Sequence, residues 1–447
     1  MLNRIHFLTR NSCRYKSSFA VALNAVSKLV TPQSLLNNPI SLVSNEMNNL
    51  VRNIIALIGT GNPYLDRVSS YYFETEGKKV RPLLVLLLSR ALSEIPMDKR
   101  QIPPYLSNDN ITTSLNNSIQ WLKQQPVESF TPLNIFQGLT NADIKHSRFH
   151  PLTQASLSFK NNNIESFDKE NGILPRQRRL AEIVEMIHTA SLLHDDVIDH
   201  ADTRRGKPSG NVVFTNKMAV LAGDFLLGRA TVAISRLRDP QVVEIMSSCI
   251  ASLVEGEFMQ LHNTDEYDPK PNTGKKSTSI SKIDEAFDYY IHKSYLKTGS
   301  LIAMSLRSAA ILSGVKPNVI ESCYEFGKNL GLCFQLIDDM LDFTSSSKQM
   351  GKTTNVDLKL GISTAPVLFA WKEDPSLGDL IERNFELPGD VERALQLVYK
   401  YDGAKKTYEL AREYRDKALK NLREALPESD SRSALEFLTN SILTRRK

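Results

Sequence analysis

The sequence predicts an all-α protein, a single large bundle of long helices around a central cavity. Three observations carry this. Apolar residues recur at spacings of three and four over long stretches, which is the helical period. No convincing run of alternating apolar and polar residues signals a strand. Clustered acids also stand inside two otherwise apolar helical stretches, as they do where helices line a polar cavity.

The chain has 447 residues, of which 41% are apolar and 23% charged. That is a globular composition, with length enough for a full core. The net charge of +5 is unevenly placed: Arg4, Arg10, Arg14, Lys16 and Lys28 precede the first acid, Glu46. The basic excess therefore belongs to the first 28 residues, and no nucleic-acid surface is expected. That acid-free leader, with Arg, Ser and interspersed apolar residues, has the pattern of a mitochondrial transit peptide. The remaining residues, 29–447, are expected to form one domain. No segment approaches the roughly 18 uninterrupted apolar residues of a membrane span. The four cysteines, at positions 13, 249, 323 and 333, show no metal spacing and fit a reducing compartment.

From Val30 to Tyr72 the pattern gives helices broken at Pro32, Pro39 and Pro63. Next come Gly77-Lys78-Lys79-Val80-Arg81-Pro82 and a helix to Leu92 that is apolar on almost every side, hence buried. Lys78 and Arg81 lie at its N-terminus, where backbone N–H groups already favour an anion. Residues 96 to about 174 are rich in Asn, Ser, Gln, Thr and Pro without a sustained period, and read as an irregular insertion. Helix resumes at Pro175, with Leu180, Val184, Ile187, Ser191 and Asp195 on one stripe. An Arg-Arg-Gly loop and an apolar helix follow. A helix after Pro240 carries Glu255, Glu257 and Gln260, and residues 263–283 form a second polar insertion. Beyond it lie a helix with Lys297 and Thr298, a long helix over 318–343, and a helical terminal third ending in Arg445-Arg446-Lys447.

The informative stretch runs from His188 to Asn211. Asp195, Asp196 and Asp199 form a DDxxD. On a helix, residues four apart share a face, so Asp195 and Asp199 point the same way with Asp196 flanking them. Such carboxylates raise one another's pKa unless a cation sits between them. Arg204, Arg205 and Lys207 follow at once. Acids beside bases suggest carboxylates holding Mg²⁺, Mg²⁺ holding phosphate, and arginines closing the other side. A lone DDxxD is equally well a solvated acidic patch. However, Asp338, Asp339 and Asp342 repeat it about 140 residues on, again between apolar flanks. If the two helices face each other, six carboxylates converge, and only divalent cations would hold them together. Oxygen-only ligands favour Mg²⁺ over Zn²⁺. Gly351-Lys352, Asp357 and Lys359 follow in a loop suited to folding over a diphosphate.

Together these motifs resemble the trans-isoprenyl diphosphate synthases, over residues 70–95 and 176–370. The likeness is greatest to long-chain mitochondrial members that make the ubiquinone side chain, and it alone implies a six-unit product. It implies the isoprenoid synthase fold, a homodimer, and about three Mg²⁺ ions. Asp195, Asp199 and Asp338 would hold the ions, with Asp196, Asp339 and Asp342 completing the clusters. Arg204, Lys297, Thr298, Gln335 and Lys352 would hold the allylic diphosphate. Lys78, Arg81, His188 and Arg205 would hold isopentenyl diphosphate. A product this apolar also implies delivery to the inner mitochondrial membrane or to a prenyltransferase partner. Ala190 and Ser191, five and four residues before Asp195, are small where short-chain members carry bulky aromatics, which suggests an open tunnel for a long product. One helical turn of about 5.4 Å matches roughly one isoprene unit. A terpene cyclase would share the fold and the first cluster, but would need neither the second DDxxD nor Lys78 and Arg81. A non-catalytic subunit would be expected to lack aspartates from one cluster, and none is missing here.

Overall fold

The computed structural model describes residues 39–59, 62–73, 79–96, 172–204, 206–261, 279–344 and 356–445. The leader, nearly all of the first insertion, and Lys78, Arg205 and Lys352 lie outside these residues. So does most of the second insertion, whose last residues instead begin a helix at Ser279.

The fold is all-α, as the periodicity predicts. In chain order the helices are α1 (Ser44–Ile58), α2 (Pro63–Ser70), α3 (Val80–Ser93), α4 (Pro175–Ile198), α5 (Gly210–Phe214), α6 (Asn216–Ser235), α7 (Pro240–Leu261) and α8 (Ser279–Ser294). A π-helical segment, Tyr295–Gly299, joins α8 to α9 (Ser300–Leu312). Then come α10 (Pro317–Thr344), the short α11 (Val356–Lys359), α12 (Ala365–Glu373), α13 (Leu377–Glu382), α14 (Asp390–Lys400), α15 (Gly403–Ala425) and α16 (Asp430–Leu443). Among the described residues the only sheet is a two-residue hairpin, Thr203–Arg204 with Lys207–Pro208. Gly206 takes the positive φ that its turn requires.

The main core is built on α3, α4 and α9. Leu83 through Leu88, Ala91 and Leu92 are all buried, as an all-round apolar helix must be. α4 packs against α3, α6 and α9, and α10 packs against α9 and along α15. α9 thus separates the two aspartate-bearing helices and braces both. Its run Ser-Ala-Ala-Ile-Leu keeps the spacing small; Ala303, Ala309 and Ala310 are fully buried. Cys249, Cys323 and Cys333 are free and buried, and burial pushes each thiol up to about 12, so they act as small apolar residues.

Candidate active site

The stripe Leu180, Val184, Ile187, Ser191, Asp195 begins fully buried and becomes partly open at Ser191 and Asp195. α4 therefore leads from the core to the rim of a polar space. It ends there with Asp199 as C-cap, whose N–H donates to the Asp195 carbonyl at 2.8 Å. Three carboxylates at a helix C-terminus oppose the helix dipole, and no basic residue lies in this last turn. A local rule broken this way is expected at a functional site.

Asp195 and Asp199 face that space. Burial, more than mutual repulsion, pushes the Asp195 carboxyl up to about 7, and it raises Asp199 in the same way. The Lys297 ammonium acts against both shifts, and the Glu257 carboxylate adds to them.

Asp196, between them in sequence, is held differently. It is completely buried. One oxygen accepts from the Arg204 guanidinium, from Nε at 2.7 Å and from Nη2 at 2.5 Å. The other accepts from the Tyr72 hydroxyl, which in turn accepts the Gly210 N–H at 2.7 Å. Asn211 donates to the Asp196 carbonyl at 3.1 Å. Asp196 thus clamps the Arg-Arg-Gly hairpin and the start of α5 onto α4, and Arg204 is engaged in that clamp. The signal was present in the sequence: Thr189, Leu193 and Asp196 continue a buried stripe at spacings of four and three.

The second cluster repeats the division. Asp339 is buried, on a stripe with Leu332, Leu336 and Phe343. Tyr290 donates to one of its oxygens at 2.6 Å and Gln335 to the other at 2.7 Å. Burial holds its carboxyl up at about 6. Both oxygens of Asp339 are thus engaged, so it too orients its neighbours. Asp338 and Asp342 are half-buried. Asp338 pairs with Arg445 at 2.5 Å, and Asp342 accepts the Asp357 N–H at 3.2 Å. Asp357 is a further acid of this cluster; burial and the charges of Asp339 and Asp342 push it up to about 8. Lys293, buried beside Asp339 and Asp357, has its pKa lowered by that burial.

The π-helical segment joins the two halves. A π-turn widens the backbone and commonly marks functional positions. Here it directs consecutive residues to different clusters. Lys297 reaches Glu257 at 2.7 Å beside Asp195 and Asp199, whereas Thr298 donates to Gln335 at 2.7 Å and so to Asp339. Two glycines let neighbouring helices approach it. A Cβ at Gly256 of α7 would lie 2.7 Å from the Lys297 nitrogen, and one at Gly331 of α10 would lie 2.5 Å from the Gly299 Cα. Two turns before Asp195 on the same face of α4, Arg81 Nη1 donates to His188 Nε2 at 3.0 Å, so the imidazole is the acceptor. Ser191 donates to the His188 carbonyl at 2.9 Å, and Ala190 is fully buried.

The expected convergence of six carboxylates is not what the chain adopts. Among the described residues no three His, Cys, Asp or Glu side chains gather closely enough to hold an ion by themselves. Four of the six are engaged locally: Asp196 by Arg204 and Tyr72, Asp338 by Arg445, Asp339 by Tyr290 and Gln335, and Asp342 by the Asp357 N–H. The donor set still fits a hard divalent cation: oxygen ligands only, on carboxyls that burial leaves short of positive charge. Sequence reasoning missed Tyr72, Tyr290, Glu257 and Arg445 as members of the site.

Residues 143–398 match the family model described as Polyprenyl synthetase. The chain belongs to the polyprenyl synthetase family. It is 60% identical to the mitochondrial hexaprenyl pyrophosphate synthase of Saccharomyces cerevisiae, over 100% of this chain and 98% of that one. It is 40% identical to the decaprenyl-diphosphate synthase subunit 1 of Schizosaccharomyces pombe, over 92% of each. Its fold is that of a decaprenyl diphosphate synthase from Rhodobacter capsulatus, with a TM-score of 0.64 at 23% identity over 92% of this chain and 99% of that one. The chain is a long-chain all-trans-prenyltransferase, of a family that is generally Mg²⁺-dependent.

Proposed function

We propose that the enzyme adds isopentenyl diphosphate head-to-tail to an allylic diphosphate until six isoprene units are joined, supplying the ubiquinone side chain in the mitochondrial matrix. The observation that carries the reading is the paired arrangement of two complete acidic motifs, each with outer acids opposed by a cation: Lys297 near Asp195 and Asp199, Arg445 on Asp338. Asp195, Asp199, Asp338 and Asp342 would hold about three Mg²⁺ ions, with Asp196 and Asp339 as clamps behind them. Bound Mg²⁺ supplies electrostatic stabilisation of the departing diphosphate. Lys297, with Lys352, orients that diphosphate, and Thr298 and Gln335 fix the backbone that presents it. Arg81 and His188, with Lys78 and Arg205, hold isopentenyl diphosphate two turns deeper along the same face of α4. The allylic cation is attacked by the isopentenyl double bond, and the proton then lost passes to the departing diphosphate.

Purified protein given Mg²⁺, farnesyl diphosphate and labelled isopentenyl diphosphate tests this by product chromatography. A six-unit product is expected; absence of any elongated product would overturn the activity, and another length would overturn the unit count alone.

The protein is also proposed to act as a homodimer. Leu221 of α6 and Val254 and Phe258 of α7 are more than half exposed, and Val212, Val213, Val220 and Leu261 are exposed nearby. The short connection between α6 and α7 makes them antiparallel. The start of α6 thus lies beside the end of α7, and these residues form one apolar face. α6 is the one described helix long and apolar enough to span a membrane, yet only 39% of its apolar 18-residue stretch is buried, which fits a helix covered by a second copy. Leu221→Glu with Phe258→Glu should shift the light-scattering mass from dimer to monomer; a monomeric wild type would sink the proposal.

A further inference from the structure

Glu257 belongs to neither acidic motif, yet it stands at the first one. The close approach allowed by Gly256 lays α7 directly on the π-helical segment and seats the next residue, Glu257, on Lys297. Oε2 meets Nζ at 2.7 Å. The residue is 8% exposed, and its other oxygen, Oε1, is buried without a hydrogen-bond partner among the described residues. Such a group is costly to keep unless it serves a purpose. The Glu257 charge is felt at both Asp195 and Asp199, so four charged groups share one space: three carboxylates and one ammonium.

That arrangement poses a problem which Glu257 solves. A lysine on a flexible stem settles on the nearest unpaired carboxylate. If Lys297 settled on Asp195 or Asp199, it would neutralise the acids that must stay open to a divalent cation. It would also be lost to the diphosphate. We propose that Glu257 is a positioning residue for prenyl transfer: it holds the Lys297 ammonium away from Asp195 and Asp199, leaving them open to metal, and presents it to the allylic diphosphate. This rests on the reading that Asp195 and Asp199 hold the metal.

The test reads Mn²⁺ binding to the full chain by electron paramagnetic resonance, alongside steady-state kinetics. Glu257→Gln keeps the shape but frees Lys297 to move onto the aspartates, so Mn²⁺ affinity should fall about tenfold, the scale of one charge interaction. Lys297→Met should not weaken it. The double variant removes both charges and should return Mn²⁺ affinity to near the wild-type value. In Glu257→Gln, kcat should fall while KM for isopentenyl diphosphate stays constant, and Glu257→Asp should recover part of kcat. Unchanged Mn²⁺ affinity in Glu257→Gln would overturn the proposal. So would affinity that stays low in the double variant, because Glu257 would then act as a ligand itself. Asp195→Ala separates the two readings: if it too leaves Mn²⁺ binding unchanged, the metal assignment fails, and if it alone weakens binding, only the role of Glu257 fails.

Discussion

The two acidic motifs share a spelling and a division of labour, but differ in how they are held. In each, the middle aspartate is buried and accepts a hydrogen bond from a tyrosine distant in sequence: Tyr72 for Asp196, Tyr290 for Asp339. In each, the outer aspartates remain more open. The first motif closes a helix and its clamp is ionic, through Arg204. The second lies within a helix and its clamp is neutral, through Gln335 and on to Thr298. A DDxxD is thus two outer acids that meet charge and one inner acid that fixes their frame. The first frame is tied to a loop, the second to the segment carrying Lys297.

The largest effect should come from an outer acid. Asp195→Ala or Asp338→Ala should lower kcat about a thousandfold or more with helicity unchanged by circular dichroism. Retained turnover in either would break the equivalence of the two outer faces.

The clamps come next. Tyr72→Phe removes a donor to Asp196 and an acceptor of the Gly210 N–H, and should cost about 1–3 kcal/mol for the partners left unpaired. Tyr290→Phe removes a donor to Asp339 and an acceptor of the Ser294 hydroxyl, which unlike a backbone N–H can rotate to another partner, and should cost less. Denaturant midpoints compare the two; an equal or reversed order would mean that the loop clamp is no tighter than the helix clamp.

The helices and the outer acids were legible because both follow from spacing along one helix. The inward turn of Asp196 and Asp339 was legible in principle, since each continues a buried stripe. The partners were not: Tyr72 lies 124 residues from Asp196, Tyr290 lies 49 from Asp339, and Arg445 lies 107 from Asp338. No periodicity encodes such pairings; they exist only once the separate segments that carry the partners have packed against α4 and α10. The π-helical segment was read as part of a continuous helix, because its composition is helical and its widening is imposed by the neighbours packed on it.

Acidity offers a milder perturbation. Asp195 at about 7, Asp339 at about 6 and Asp357 at about 8 all lie above their unfolded values. The native chain therefore holds protons that the unfolded chain has lost. Stability from these groups is greatest at low pH and declines as pH rises from the unfolded carboxylate range through about 8. A divalent cation replaces those protons. Mg²⁺ should therefore raise the melting temperature by several degrees more at pH 8 than at pH 6, measured by scanning fluorimetry. An equal gain at both values would mean that these acids do not take the ion.

The smallest effect on rate belongs to the residues beside the first motif, where the two motifs differ most in consequence. Ala190 and Ser191 were expected to line the same tunnel, but Ala190 is fully buried and Ser191 is partly open. Ala190→Phe must overpack the core and should cost about 1–3 kcal/mol. Ser191→Phe lies on the stripe that emerges at Asp195, gives up only a hydrogen bond to the His188 carbonyl, and should fold normally. Its ring would block the path beside α4 four residues below the metal-facing acid, about one turn of helix. Initial turnover should stay within a few-fold of the wild type while chromatography shows a product shorter by several units. An unchanged product length would move the tunnel wall away from Ser191, toward residues that α4 does not supply.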